Sequence, residues 1–251
     1  MRLDKYLTEK GLCSSRTAAQ NLINIGGVTV NGKMAVKVSQ DVSDNDAVNI
    51  VEIKLPKYVS RGGVKLEGAL RHWDISLGGL ICLDIGASTG GFTDCMLQSG
   101  AAKVYAVDVG RGQLHERLRA DSRVISLENT DIRGFELPEG VSADFIGTDV
   151  SFISLKLILP HIYRLLKDGG AAIALIKPQF EAGRGNLSKK GIVKNENVRR
   201  RVVNETAEFA AGCGFSVVGT AESPITGGDG NVEYLLYLRK VQDEGSDRLQ
   251  R

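Results

Sequence analysis

The segment LDIGASTGGFTD, residues 83–94, reads as a buried strand, a glycine-rich turn and the start of a helix. Gly86, Gly90 and Gly91 let the main chain approach a ligand closely, and the helix that follows offers N–H groups with no intrahelical partner. The dinucleotide fingerprint G-x-G-x-x-G is absent; the spacing is G-x-x-x-G-G, with Asp84 before it. Tight strand–helix packing alone could also ask for such a turn, so the surrounding pattern decides. From Leu80 onward, LICLDIG, KVYAVDVG, RVISLENT, ADFIGTDVS and AAIALIKP are short apolar runs. They alternate with segments of helical spacing that include Phe92–Gln98 and Ile153–Leu166. Alternation of this kind predicts an α/β fold with a doubly wound parallel sheet. After a polar insertion and a predicted helix over Glu196–Gly212, FSVVGTA and VEYLLYLRK lie close enough in sequence to pair antiparallel.

Ligands of open α/β sheets bind outside the carboxyl ends of the strands. Asp84 falls there, as does Asp108, 24 residues later at the tip of VYAVDVG, and Asp131 in LENTDIR. Asp108 is suited to grip the two hydroxyls of a ribose, and Asp131 to lie near an adenine and its exocyclic amine. Singly, each is equally a strand-end turn residue or a helix cap. Together, beside the glycine turn, they point to an adenosine-containing cofactor. The expected contacts are Asp84, Gly86, Ser88, Gly90, Gly91, Phe92, Asp108 and Asp131.

The fourth strand ends at Asp149. The fifth, Ala171 to Ile176, delivers Lys177 to its carboxyl end, just before Pro178. Neighbouring strand ends lie side by side, so this carboxylate and ammonium should face one pocket. A hydroxyl is a poor nucleophile at neutral pH and needs a base or firm orientation, and an amine can serve. Burial and nearby cations favour the neutral amine that such a role needs, whereas a carboxylate opposes it. Lys65 opens the helix ahead of the sheet, and Glu233 starts the last strand and returns to the same edge. Taken alone, each could be a surface ion pair or a solvated strand end.

The first sixty residues form a separate pattern. RLDKYLTEKG is a short helix stopped by Gly11, and Ser14 or Ser15 caps a second helix, Arg16 to Ile25, ended by Gly26-Gly27. VTVNGKMAV is a hairpin signature turning at Asn31-Gly32 and returning through Met34 and Val36. A small strand is expected over Ala47 to Ile53 and a linker over KLPKYVSRGG (54–63), after which Val64 to Trp73 reads as helical. Residues 1–37 carry six basic side chains against two acidic ones, either a solvated face or a surface for a phosphate backbone. The insertion EAGRGNLSKKGIVKNENVRRR (181–201) holds seven basic residues against two acidic and is expected to be a flexible basic lid over RNA, or else a solvated loop.

The order R-L-D-K-Y-L, S-R-T-A-A-Q-N-L-I, G-G-V-T-V-N-G resembles the S4 RNA-binding domain over about fifty residues. That resemblance implies structured RNA, with Arg2, Lys5, Arg16 and Lys33 as phosphate contacts; Arg61 and, in the basic insertion, Arg184, Lys189 and Lys190 are further RNA-binding candidates. D-x-G-A-S-T-G-G-F with Asp108 and Asp131 resembles the Rossmann-like S-adenosylmethionine-dependent methyltransferases, and only this likeness names the cofactor. The D-V-S-F stretch lacks the Asn/Asp-Pro-Pro-aromatic motif of enzymes that methylate base nitrogens. Lys65, Asp149, Lys177 and Glu233 are similar to the Lys-Asp-Lys-Glu tetrad of FtsJ-type RNA 2′-O-methyltransferases, within S-R-G-G-x-K-L, D-V-S-F-I-S-L, L-I-K-P-Q-F-E and G-N-V-E-Y-L. From Met1 to about Lys240 the chain resembles the TlyA family of ribosomal RNA methyltransferases, historically labelled haemolysins. The likeness implies Lys177 as the base or orienting group for a cytidine 2′-hydroxyl, Asp149 as its holder, and Lys65 and Glu233 as completing the network. The expected layout is an S4-type domain over 1–57, linker and first helix over 58–73, methyltransferase domain over 74–240 and a disordered tail over 241–251.

The totals agree with a globular protein: 251 residues, 42% hydrophobic, 25% charged and a net charge of +2, too small to name a polyanion partner by itself. Cys13, Cys82, Cys95 and Cys213 have no metal-ligand spacing, and no bound metal is expected. No secretory signal opens the chain and no apolar stretch approaches the ~20 residues of a membrane helix, so a cytoplasmic protein without a membrane partner is expected. The rivals are methylation of a base or protein nitrogen, a non-catalytic RNA-binding module and a pore-forming haemolysin. Ribosomal RNA or ribosomal subunits are the expected partners.

Overall fold

In a computed structural model, the residues described are 1–24, 27–35, 37–51, 57–227 and 230–241. The chain divides into two compact units, Met1–Lys57 and Tyr58–Arg251.

In the first unit, Leu3, Tyr6 and Leu7 of α1 (Leu3–Glu9) pack with Ala19 and Ile23 of α2 (Arg16–Asn24) and with Val28 and Val30. Ser15 Oγ accepts from Ala18 N at 3.1 Å and opens α2. β1 (Val28–Val30) and β2 (Lys33–Met34) form a hairpin across Asn31 and Gly32, whose φ values of +52° and +77° suit a two-residue turn. β3 (Val48–Ile50) pairs with the other side of β1, giving the order β2-β1-β3. The helix end expected at Ile25 and Gly26, the hairpin position Val36, the strand and linker positions 52–56 and the tail from 242 onward lie outside the described residues.

The second unit opens with α3 (Gly62–His72), followed by β4 (Ile81–Ile85), α4 (Gly91–Gln98), β5 (Lys103–Val107), α5 (Glu116–Arg119) and β6 (Val124–Leu127). Next come β7 (Ala143–Thr148), α6 (Leu159–Leu165), β8 (Leu166–Ile176), α7 (Pro178–Glu181), α8 (Glu196–Gly212), β9 (Phe215–Glu222) and β10 (Tyr234–Lys240). The seven strands lie in the order β6-β5-β4-β7-β8-β10-β9, with β4 to β8 parallel and β10 antiparallel to both neighbours.

Both faces of the sheet are covered, which is why its strands read as continuous apolar runs. Leu83, Ile85 and Ile146 pack with Leu159, Ile162 and Val202 on one face, and Cys82, Phe145 and Ile173 pack with Leu66, Phe92 and Met96 on the other. Burying a side chain of this size contributes about 1.5–3 kcal/mol.

Two expectations are corrected. The helix expected over 153–166 is a 3-10 turn, Leu155–Leu157, followed by α6. Pro160 explains the break, because a prolyl ring with no N–H is tolerated in the first turn of a helix and not in its interior. The glycines assigned to the linker, Gly62 and Gly63, form the first turn of α3.

The strand order fixes where a site can form. From β4 the chain builds outward through β5 and β6, then returns to place β7 on the other side of β4. A crevice opens at such a reversal, outside the carboxyl ends of the strands.

Candidate active site

Two adjoining cavities lie at that reversal. The larger, about 450 Å³, is lined by Ile85, Val107, Ile132, Asp108 and Asp131 among others, and the smaller, about 170 Å³, by Ser60, Ser88, Thr89 and Lys177. Gly86, Ser88, Asp149 and Ser151 line both. The larger volume and its mixture of apolar wall and few polar groups fit a nucleoside-sized ligand.

The glycine turn is built as its spacing requires. Gly86 has φ +81°, and a Cβ there would lie 2.9 Å from the Asp149 carbonyl oxygen; at Gly90, φ +96°, a Cβ would lie 2.2 Å from Leu118 Cδ1. A side chain at Gly86 would press on the Asp149 main chain in the wall of the cleft, and at either position the positive φ strains any residue but glycine. Asp108 accepts from Ser88 N at 2.7 Å and from Gly110 N at 2.6 Å, so it ties the turn to the tip of β5 while facing the larger cavity.

Asp84 and Phe92 lie deeper. The Asp84 carboxylate is fully buried beneath the turn and accepts from Thr93 N at 2.9 Å and Thr93 Oγ1 at 2.6 Å. Burial pushes its carboxyl up to about 7, against the lowering effect of the Thr93 bonds. Asp84 therefore holds the start of α4 in place from below, and Phe92, 3% exposed, forms part of the smaller cavity's floor. Asp131 lines the larger cavity, but Arg133 Nε and Nη2 occupy both its oxygens at 2.6–3.0 Å. Those bonds hold its carboxyl down at about 2.

The four reacting-end residues converge. Parallel pairing sets Ile85 beside Thr148 and Thr148 beside Ala174, so Asp149 and Lys177 follow adjacent strand ends. Antiparallel pairing sets Tyr234 beside Ile176, which brings Glu233, just before β10, to the level of Lys177. Lys65 enters from the second turn of α3. Lys65 Nζ lies 2.6 Å from Glu233 Oε2 and 3.5 Å from Asp149 Oδ2, and Lys177 Nζ lies 2.6 Å from Asp149 Oδ1. Lys65, Lys177 and Glu233 are 7%, 8% and 3% exposed, so this is a continuous enclosed chain of alternating charge. Surface ion pairs, the bland alternative for each residue, are not enclosed in this way.

Three neighbours of the site carried no sequence signal. Ser151 Oγ accepts from Lys177 Nζ at 2.7 Å. Phe152 is 92% exposed with φ +65°, and its ring lies 5.2 Å from that of Phe180. Asn231, 2% exposed, accepts from Val193 N at 3.1 Å and donates to the Gly191 carbonyl at 3.2 Å. That pair of bonds anchors the basic insertion, so the expected lid is pinned at 191–193 and raises exposed Lys189 and Lys190 beside the pinned stretch. Arg184 and Arg61 are also exposed.

In the first unit, Arg2 and Arg16 both bond to Asp4, which is fully buried, at 2.9–3.1 Å, and Arg2 and Gln20 hold the Asp4 carboxyl well below the usual range. Their guanidinium groups remain half exposed. Lys5 pairs with Glu9 one turn on, and Lys33 is exposed on β2. Among the described residues no three His, Cys, Asp or Glu gather in a metal-binding group, and no helix is long and apolar enough to cross a membrane.

Comparison with known proteins matches the chain to two known domain families. The FtsJ-like methyltransferase family model matches residues 58–240, and the S4 domain model matches residues 1–48. The chain is 44% identical over 240 residues to Hemolysin A of Brachyspira hyodysenteriae, covering 95% of this chain and 99% of that protein. It is 43% identical over 244 residues to the 16S/23S rRNA (cytidine-2'-O)-methyltransferase TlyA of Mycobacterium tuberculosis, covering 96% of this chain and 91% of that protein. A solved structure described as a hemolysin from Streptococcus thermophilus superposes with a TM-score of 0.74 at 44% identity, covering 98% of this chain and 92% of that one.

Proposed function

Because the chain belongs to the FtsJ-like methyltransferase family, we propose that it transfers a methyl group from S-adenosylmethionine to the 2′-hydroxyl of a cytidine in ribosomal RNA. The observation that carries this reading is the enclosed series Glu233–Lys65–Asp149–Lys177, whose Asp149 lines a nucleoside-sized cleft and whose Lys177 lines the cavity adjoining it. The relative from M. tuberculosis, whose name states this reaction, supports it.

The residues fit the cofactor. Asp108 would hold the ribose and the apolar wall the adenine, with Asp131 available once Arg133 moves aside. The polar cavity beside Ser60, Ser88 and Thr89 would take the amino-acid end. When bound, the cofactor supplies an electrophilic methyl group. Lys177 accepts the 2′-hydroxyl proton at Nζ, Asp149 fixes that amine, and Lys65 with Glu233 fixes Asp149. The exposed ring of Phe152, beside the larger cavity, offers a face on which an unstacked base can rest. The basic residues of the first unit, with Arg61, Arg184, Lys189 and Lys190, dock the RNA backbone.

The test is transfer of labelled methyl to isolated ribosomal subunits and to free ribosomal RNA, followed by alkaline hydrolysis. A ribose methyl protects the adjoining 3′ phosphodiester, so label in alkali-stable dinucleotides supports the reading. Label confined to mononucleotides or to protein contradicts it.

A further inference from the structure

Lys177 Nζ has one ion-pair partner and one hydrogen-bond partner among the described residues, and only the first belongs to the charged series. Asp149 Oδ1 lies at 2.6 Å and Ser151 Oγ at 2.7 Å. Nothing in the sequence marked Ser151, which falls in D-V-S-F two residues after Asp149. Ser151 is exposed and lines both cavities, whereas the amine it meets is 8% exposed.

A lysine ammonium has three N–H groups in tetrahedral array around Nζ. A neutral amine keeps two N–H groups and one lone pair at the same three positions. Rotation about Cε–Nζ exchanges those positions at little cost, so an untethered amine does not hold its lone pair in a fixed direction. One acceptor fixes one position and leaves the other two interchangeable. Two acceptors fix both N–H groups and leave a single place for the lone pair. Ser151 Oγ is a hydrogen-bonded acceptor and the Asp149 charge, in ion-pair contact at 2.6 Å, draws a second N–H to its side, so the third position is left for the cleft that Asp149 and Ser151 line.

We propose that Ser151 is a positioning residue for methyl transfer: its hydroxyl oxygen takes the second N–H of Lys177 and so directs the Lys177 lone pair at the acceptor hydroxyl. The proposal rests on the reading of the protein as a ribose 2′-O-methyltransferase. In the step it serves, the 2′-oxygen forms a bond to the methyl carbon as the sulfur–methyl bond breaks, and the 2′-hydroxyl proton passes to Lys177 Nζ. Ser151 keeps its own proton throughout. A hydroxyl can donate one hydrogen bond while its oxygen accepts another, so accepting from the amine does not require Ser151 to give up its proton.

The test compares the full-length wild type with Ser151→Ala and Ser151→Thr, using labelled S-adenosylmethionine and ribosomal subunits. Thermal unfolding and the cofactor Kd establish that each variant is folded. Losing one hydrogen bond and the orientation it gives should lower kcat of Ser151→Ala about tenfold, with cofactor Kd and RNA KM within about twofold of wild type. Ser151→Thr retains the hydroxyl and should recover at least about half of the wild-type kcat. A Ser151→Ala kcat within about twofold of wild type overturns the proposal, as does a loss confined to Kd or KM, or a Thr variant no better than Ala. If the wild type forms no ribose-methylated product, the functional reading falls and this proposal with it. A wild-type product with undiminished Ser151→Ala turnover overturns the proposal alone.

Discussion

Asp149→Asn removes the charge that lies between two enclosed ammonium groups, and the structure sets the size of the effect. Lys65 Nζ is 3.5 Å from Asp149 but 2.6 Å from Glu233, so Lys65 keeps a carboxylate when Asp149 is neutralised. Lys177 loses its only ion-pair partner among the described residues and retains the Ser151 hydroxyl. One enclosed charge, not two, is therefore left uncompensated. Breaking a buried pair from one side costs about 3–5 kcal/mol. The Asp149 side chain is 18% exposed, so water can partly replace it and the lower end, about 3 kcal/mol, applies. For a unit of this size each kcal/mol moves the melting temperature by about 2–4 °C, giving a fall of about 6–12 °C. The asparagine also turns an NH₂ toward one of two lysines that can only donate, so the amine of Lys177 is misdirected as well as unpaired. Single-turnover methyl transfer should drop about 100-fold or more, the contribution of a positioned base. Scanning fluorimetry and rapid-quench transfer read the two effects. A variant that melts within about 2 °C of wild type and transfers within about threefold of its rate would refute the reasoning.

Further outcomes follow from other parts of the molecule. Asp84, pushed up to about 7, holds its proton more tightly folded than unfolded. Its stabilising effect is thus complete below about pH 4 and fades as pH rises through about 7. Asp84→Asn, which mimics the protonated form, should gain in melting temperature relative to wild type between about pH 5 and 8; a difference independent of pH contradicts this. Phe152→Gly relieves a left-handed backbone and removes a ring that is 92% exposed, so stability should hold or rise by about 1 kcal/mol. Its kcat/KM for RNA should fall about tenfold with cofactor Kd unchanged, which steady-state kinetics and calorimetry would test. Raising salt from about 50 to about 200 mM should weaken RNA binding steeply and cofactor binding little. Lys189→Ala with Lys190→Ala should flatten that salt dependence by about one to two in the log–log slope, measured by filter binding.

The elements with strong local signals were legible in the sequence. Apolar runs closing on Asp108, Asp149 and Lys177 announce strands whose polar tips share one edge, and the observed register brings Asp149 and Lys177 together, whereas Asp84 lies inside β4 and is buried. Pro160 could have divided the helix expected over 153–166, but the apolar spacing on either side of it masked the break. What could not be read depends on atoms meeting at short range. Asp131 is claimed by Arg133 through a local side-chain turn that periodicity does not record. Asp4 is a charge in the first turn of an exposed-looking helix, yet it is fully buried because Arg2, Arg16 and Gln20 close over it from two helices. Ser151 and Asn231 are short polar residues in loops, and only the folded chain shows that one meets the Lys177 amine and the other anchors the basic insertion.

In the proposed mechanism one lysine at the end of β8 deprotonates a ribose hydroxyl. Its most direct test is nucleoside mass spectrometry of ribosomal subunits treated with labelled S-adenosylmethionine and either wild-type protein or Lys177→Ala. The expected result is 2′-O-methylcytidine with wild type and none with the variant, whose cofactor affinity stays near normal. Methyl on a base or protein nitrogen, or undiminished ribose methylation by Lys177→Ala, would contradict it.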